Sequence, residues 1–126
     1  MVKSERHRYI LFKVISEHIK LLNNQEILNS IWASLWKYFG LKEASRVGLW
    51  LVDINFLEGF GIIRCSHQTK EIVISALTLI TEISGNKIVF SPIKTSGTIR
   101  SIQITKKLLL DRNKNNIKDN QIMEIS

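Results

Sequence analysis

Residues 59–103 read GFGIIRCSHQTKEIVISALTLITEISGNKIVFSPIKTSGTIRSIQ, and the fold turns on this stretch. Gly61 to Cys65 is a short apolar run, the length of a strand rather than a helix. Ser66 to Thr69 supplies hydroxyls that can cap a helix by accepting its first free N–H groups. Ile72, Val73, Ala76, Leu77, Ile80 and Ile83 then share one helical face, and Gly85 is expected to end that helix. Lys87 to Thr95 reads as a further strand. Its Pro92 cannot donate a ladder hydrogen bond, so this strand is expected at a sheet edge or bulged.

Upstream, Tyr9 to Ile15 is rich in strand formers and reads as the first strand. Asn23 and Asn24 can cap a helix in which Leu28, Ile31, Trp32, Leu35, Trp36 and Phe39 recur at helical spacing. The Trp32, Trp36 and Phe39 stripe is expected in the core, and Gly40 is expected to close the helix in a left-handed conformation. Val47 to Ile54 reads as the second strand, joined by the turn at residues 55–59 to the third as an antiparallel hairpin. Downstream, Ser96 is a candidate cap for a third helix from Thr98, with Ile99, Ile102, Lys106 and Leu109 on one face.

The order is βαββαβ followed by a helix. This predicts an α+β class: a ferredoxin-like sandwich with an antiparallel four-stranded sheet and an added C-terminal helix. Strands two to four carry successive apolar residues, which implies that both sheet faces are covered, the second by the third helix. Residues 1–110 are expected to form one α/β domain. Residues 111–126, polar and without periodicity, are expected to form a flexible tail.

Composition sets the bounds. The chain has 126 residues, enough for one core. Lys and Arg number 18 against 11 Asp and Glu, a net charge of +7, which favours a polyanionic partner. Cys65 is the single cysteine, so no internal disulfide can form, and a reducing, cytoplasmic setting is expected. No stretch approaches the 18 or so apolar residues of a membrane span, so no membrane partner is expected.

The cations fall in three groups: Lys3, Arg6 and Arg8 on the N-terminal arm; Arg46 and Arg64 around the hairpin; and Lys94, Arg100, Lys106, Lys107, Arg112 and Lys114 toward the C-terminus. Cations near phosphates release condensed counterions, so such groups can supply salt-sensitive affinity for RNA. Residues 58–65, EGFGIIRC, lie close to the RNA-recognition-motif octamer and sit on the third strand, as that motif does. They depart from it at Glu58, Ile62 and Cys65, leaving Phe60 as the one ring that could stack on a base. Packing of Phe60 in a core or protein interface is the favoured reading. A catalytic constellation is missing: His7, His18 and His67 have no metal-ligand spacing with one another or with Cys65, and no phosphate-cradling glycine loop or nucleophile elbow occurs. An acylphosphatase of the same fold is disfavoured because SEHIKLLNNQE, after the first strand, has neither glycine nor arginine.

GFGIIRC, ALTLITEISG and KIVFSPIKTSGTIR, with the opening RHRYILFKVIS, together resemble the ribonuclease P protein component 2 family, the Pop/Rpp class. The resemblance spans most of the chain and implies a non-catalytic subunit of an RNA-based enzyme that removes 5′ leaders from precursor tRNA. It implies that the protein binds no cofactor and that the RNA uses magnesium for the hydrolysis. The implied partners are the ribonuclease P RNA, precursor tRNA and a second, TIM-barrel-like protein subunit, with a homodimer as a further possibility. Candidate RNA-binding residues are Arg6, Arg8, Arg46, Arg64, Lys94, Arg100, Lys106 and Lys107. Phe56, Leu57 and Phe60 are the candidate protein interface. Two alternatives stay open on the residues alone: a general RNA-binding module of RNA-recognition-motif-like fold, and a ferredoxin-like small-molecule regulatory domain.

Overall fold

A computed structural model of the chain describes residues 6–17, 23–55 and 58–125, with side chains through Arg112. Its elements are β1 (His7–Ser16), α1 (Asn24–Ala44), β2 (Trp50–Asn55), β3 (Phe60–Ser66), α2 (Lys70–Leu79), β4 (Glu82–Ile83), β5 (Asn86–Ser96) and α3 (Ile99–Ile125), with a 3-10 turn at His67–Thr69 before α2. The strands form one antiparallel sheet in the order β2-β3-β1-β5-β4.

β1 lies at the centre, and its sequence shows why. Ile10, Leu11 and Phe12 are consecutive and all fully buried, so both faces of this strand are covered. Ile10, Phe12 and Val14 point to the face under α1 and α2, where they pack with Ile27, Ile31, Leu35, Val73, Ala76, Leu77 and Phe90. Phe12 and Phe90 meet edge to face, 5.5 Å between centroids at 81°, the favoured geometry for a ring pair. The buried Ser34 hydroxyl donates to the Ala76 carbonyl at 2.8 Å, stitching α1 to α2. Leu11 and Tyr9 point the other way, to α3, with Phe60, Ile62, Ile99, Ile102 and Leu109. The third helix therefore covers the second face, on the side of Ile99, Ile102, Lys106 and Leu109 read from the sequence.

Gly61 lies opposite Phe12 on the neighbouring strand, beneath its ring. A Cβ there would run into the Phe12 ring, so glycine is required by space rather than by backbone angle. Asn23 caps α1, its Oδ1 accepting from the Glu26 N–H at 2.8 Å. Gly40 (φ 81°, ψ 171°) has the expected positive φ but kinks α1 rather than closing it, and one more turn follows before Ser45.

The structure corrects several expectations. The sheet has five strands, not four, because α2 stops at Leu79 and Ile80 is already extended (φ −79°, ψ 121°). Gly85 does not end a helix. With Ser84 it forms a two-residue turn with both φ positive (52° and 82°), the conformation that suits a tight hairpin, and this turn creates β4. Pro92 does lie at a register shift in β5, opposite Phe12. α3 continues as backbone helix to Ile125, through the stretch read as a tail; no glycine or proline follows Gly97 to stop it. Trp36 is exposed, since the buried face of α1 runs through Ile27, Ile31, Ser34 and Leu35 and leaves Trp36 beyond its edge. β2 is an exposed edge strand rather than one covered on both sides, with Trp50 and Val52 facing solvent.

Candidate nucleic-acid interface

Register sets the geometry of the site. Because β1 is antiparallel to β3 and β5, its start lies beside their ends: His7 opposite Ser66, Tyr9 opposite both Arg64 and Ser96. β2 begins at this same end, with Trp50 opposite Arg64. α2 leaves from β3 and α3 from β5, so both helices begin here and turn the positive ends of their dipoles toward one rim of the sheet. α1 arrives at the rim from the other direction and delivers Arg46, whose carbonyl accepts from the Ser66 hydroxyl at 3.3 Å.

Five of the candidate cations converge here from separate segments: Arg6 and Arg8 from the start of β1, Arg46 after α1, Arg64 near the end of β3 and Arg100 at the start of α3. Two residues not singled out as RNA contacts in the sequence join them. His67 and Lys70 follow β3 directly, and the His67 N–H donates to the Arg6 carbonyl at 2.7 Å. The guanidinium of Arg8 holds the His67 imidazole below its ordinary pKa, with partial desolvation, Lys70 and Arg6 acting in the same direction. Three cations acting on one imidazole reflect the concentration of positive charge at this end. The same end carries Glu43, 3.7 Å from Arg46, and Glu71 in the first turn of α2.

Arg8 also reaches toward the α3 start. A Cβ on Gly97 would lie 3.2 Å from Arg8 Nη1, so glycine leaves room for this side chain between the β5 end and α3. α3 is capped by Thr98, whose Oγ1 accepts from the Ser101 N–H at 3.3 Å, rather than by Ser96. Ser66 and Thr69 are buried and share a 2.6 Å hydroxyl hydrogen bond, which fixes the turn that presents His67 and Lys70.

The remaining candidates lie elsewhere. Lys94 donates to Thr105 Oγ1 at 3.0 Å and so braces β5 against α3. Lys106 is mostly buried between Asp53 at 3.4 Å and Glu58 at 3.6 Å; its charge is balanced inside the fold and ties α3 to the β2–β3 hairpin. Lys107 is exposed further along α3. Phe60 is only 2% exposed, beneath α3, which removes it both as a stacking ring and as a partner contact. Phe56 and Leu57 lie outside the described residues.

His67 was legible as a histidine but not as a neighbour of Arg6 and Arg8; only the β1–β3 register brings them together. Cys65 is fully buried, and burial pushes its thiol up to about 11 against the smaller opposing pull of Lys70, so it packs as a hydrophobe and stays protonated at neutral pH. Among the described residues no group of three or more His, Cys, Asp or Glu side chains is placed to hold a metal ion.

These features define a class: a small basic α/β domain whose sheet end gathers cations at the starts of two helices, an arrangement suited to phosphates. Within that class, the chain belongs to the Rpp14/Pop5 family, whose model matches residues 8–106. It is 35% identical to ribonuclease P protein component 2 of Pyrococcus furiosus, over 79% of this chain and 81% of that one. It is 36% identical to the protein of the same name from Methanothermobacter thermautotrophicus, over 75% and 79% of the two chains. A chain in a cryo-EM structure of yeast ribonuclease MRP shares the fold, with a TM-score of 0.61 at 11% identity over 94% of this chain and 98% of that one.

Proposed function

We propose that this chain is a protein subunit of ribonuclease P, assisting a catalytic RNA in removing 5′ leaders from precursor tRNA. The observation that carries the reading is the relation to ribonuclease P protein component 2, at 35% identity over 79% of the chain. The rim supplies the physical role. A folded catalytic RNA crowds phosphates together, and cations fixed on a rigid sheet end offset that repulsion without the entropy cost of gathering free ions. Arg6, Arg8, Arg46, Arg64, His67, Lys70 and Arg100 are the residues for this task, and magnesium bound by the RNA is left to the chemistry. In this reading the partners are the ribonuclease P RNA, its precursor-tRNA substrate and a second protein subunit. The strand order β2-β3-β1-β5 also supports a ferredoxin-like arrangement extended by the β4 hairpin.

Reconstitution tests the proposal. Precursor-tRNA cleavage by a cognate ribonuclease P RNA and its other protein subunits, at limiting magnesium, is expected to rise several-fold or more on adding this chain. The rise should shrink as magnesium is raised. Unchanged cleavage in a system that responds to its other subunits would refute it.

A further inference from the structure

Several rings of the sheet are taken up by packing. Phe60 is under α3, Phe12 and Phe90 are in the core, and Tyr9 packs against the α3 cluster. Trp50 is different. It begins the edge strand β2, is 61% exposed, and stands beside Arg64 at the rim. The register places Trp50, Arg64, Tyr9 and Ser96 in one row across the sheet, on the side that α3 covers, where α3 is only beginning. The helix therefore caps the middle of this face and leaves the corner at Trp50 open.

The Arg64 guanidinium lies over the indole, with its Cζ 5.8 Å from the ring centroid. A cation over a ring is attracted by the quadrupole and also holds the ring in place. Among the described residues no carboxylate pairs with Arg64, and its Nε–H has no hydrogen-bond partner. Among the described residues its one charge-related contact is the indole. An indole held on one side by a guanidinium, exposed over most of its surface and standing at the rim, combines the two components of single-strand recognition: a stacking surface and nearby positive charge for the backbone.

We propose that Trp50 is a stacking platform for an unpaired RNA nucleobase, with Arg64 beside it holding an adjoining phosphate. This rests on the reading of the rim as an RNA surface and sharpens it, because a rim of cations alone would treat paired and unpaired RNA alike. A ring exposed at an edge strand could also receive a strand from a protein partner. The charge around it favours RNA: among the described residues no carboxylate pairs with Arg64, and a polyanion supplies a countercharge.

The test is the affinity of the full chain, at low salt, for a single-stranded RNA of about 12 nucleotides and for a duplex containing the same strand, in the wild type, Trp50→Ala, Trp50→Phe and Arg8→Gln. Trp50→Ala is expected to weaken single-strand binding by about 5- to 100-fold and leave the duplex and the salt slope nearly unchanged, with Trp50→Phe recovering most of the loss. Arg8→Gln is expected to weaken both RNAs and lower the salt slope. If Trp50→Ala binds the single strand as the wild type does while Arg8→Gln does not, stacking is refuted and the cationic rim stands. If the wild type binds neither RNA, the rim reading itself fails. If RNA affinities are unchanged but Trp50→Ala no longer assembles with the other protein subunits, Trp50 belongs to a protein contact and the proposal is overturned.

Discussion

The two ends of the sheet are built from the same strands yet carry opposite character. At one end β1 begins, β3 and β5 finish, and α2 and α3 start; Arg6, Arg8, Arg46, Arg64, His67, Lys70 and Arg100 collect there. At the other end β1 finishes, β3 and β5 begin and the β4 hairpin turns. Glu17, Glu58 and Glu82 lie there with Lys87, and a cleft of about 490 Å³ opens among Ile15, Glu82, Ile88 and Val89. The difference follows from topology. Helices that leave the sheet from two strands at the same end bring two N-termini together, and side chains far apart in sequence become neighbours. Part of the chain's excess of cations is thereby gathered on one rim.

The comparison can be broken first through the core that both ends share. Phe12→Ala removes a fully buried ring that packs on Phe90 and Gly61, and is expected to cost about 3–5 kcal/mol, read by thermal or denaturant unfolding. The loss should be global rather than confined to one end, which makes it the control against which local losses are judged. Next comes the charge itself. Replacing Arg6, Arg8 and Lys70 together by Gln should lower RNA affinity by about ten-fold per cation, the worth of a charge-assisted hydrogen bond, and flatten the salt dependence. Lys87→Gln at the far end should change neither. Equal losses at both ends would show that net charge, not the rim, binds RNA.

A smaller effect separates structural from binding cations. Lys106 touches Asp53 and Glu58, and Asp53 is 54% exposed, so solvent screens much of the pair. Lys106→Met is expected to shift stability by no more than about 1 kcal/mol and to leave RNA affinity unchanged. The finest probe is His67. Its folded-state pKa lies below the ordinary value because Arg8, desolvation, Lys70 and Arg6 all oppose its charge. It thus contributes stability above its unfolded pKa that is lost as pH falls through its folded pKa. RNA phosphates would reverse the local field, so the NMR titration of His67 should move upward when RNA binds, and RNA affinity should rise as pH falls through that range. No movement on adding saturating RNA would place the phosphates elsewhere.

Much of this was legible in the sequence, and the failures have physical causes. Periodicity located all the main elements, and the face of α3 through Ile99, Ile102, Lys106 and Leu109 was right because helical spacing is a local property. The rim was readable only in part. Arg6, Arg8, Arg46, Arg64 and Arg100 could be named as cations, but His67 and Lys70 gain their role from the β1–β3 register, which no local pattern encodes. Lys106 misled for the opposite reason, since a lysine held between two carboxylates reads in sequence like any free one. Gly85 reads in sequence like a helix end because a positive φ serves a helix cap and a hairpin turn equally well. Trp36 and β2 were placed inside because an apolar run does not say whether a neighbour lies on its outer side.

The most direct measurement is precursor-tRNA cleavage by the reconstituted ribonucleoprotein at limiting magnesium, comparing the wild-type chain with the Arg6, Arg8 and Lys70 triple Gln variant and with Lys87→Gln. The account predicts full stimulation by wild type and by Lys87→Gln at limiting magnesium, and cleavage with the triple variant that reaches the wild-type level only when magnesium is raised. A folded triple variant that stimulates as well as wild type at limiting magnesium would contradict it.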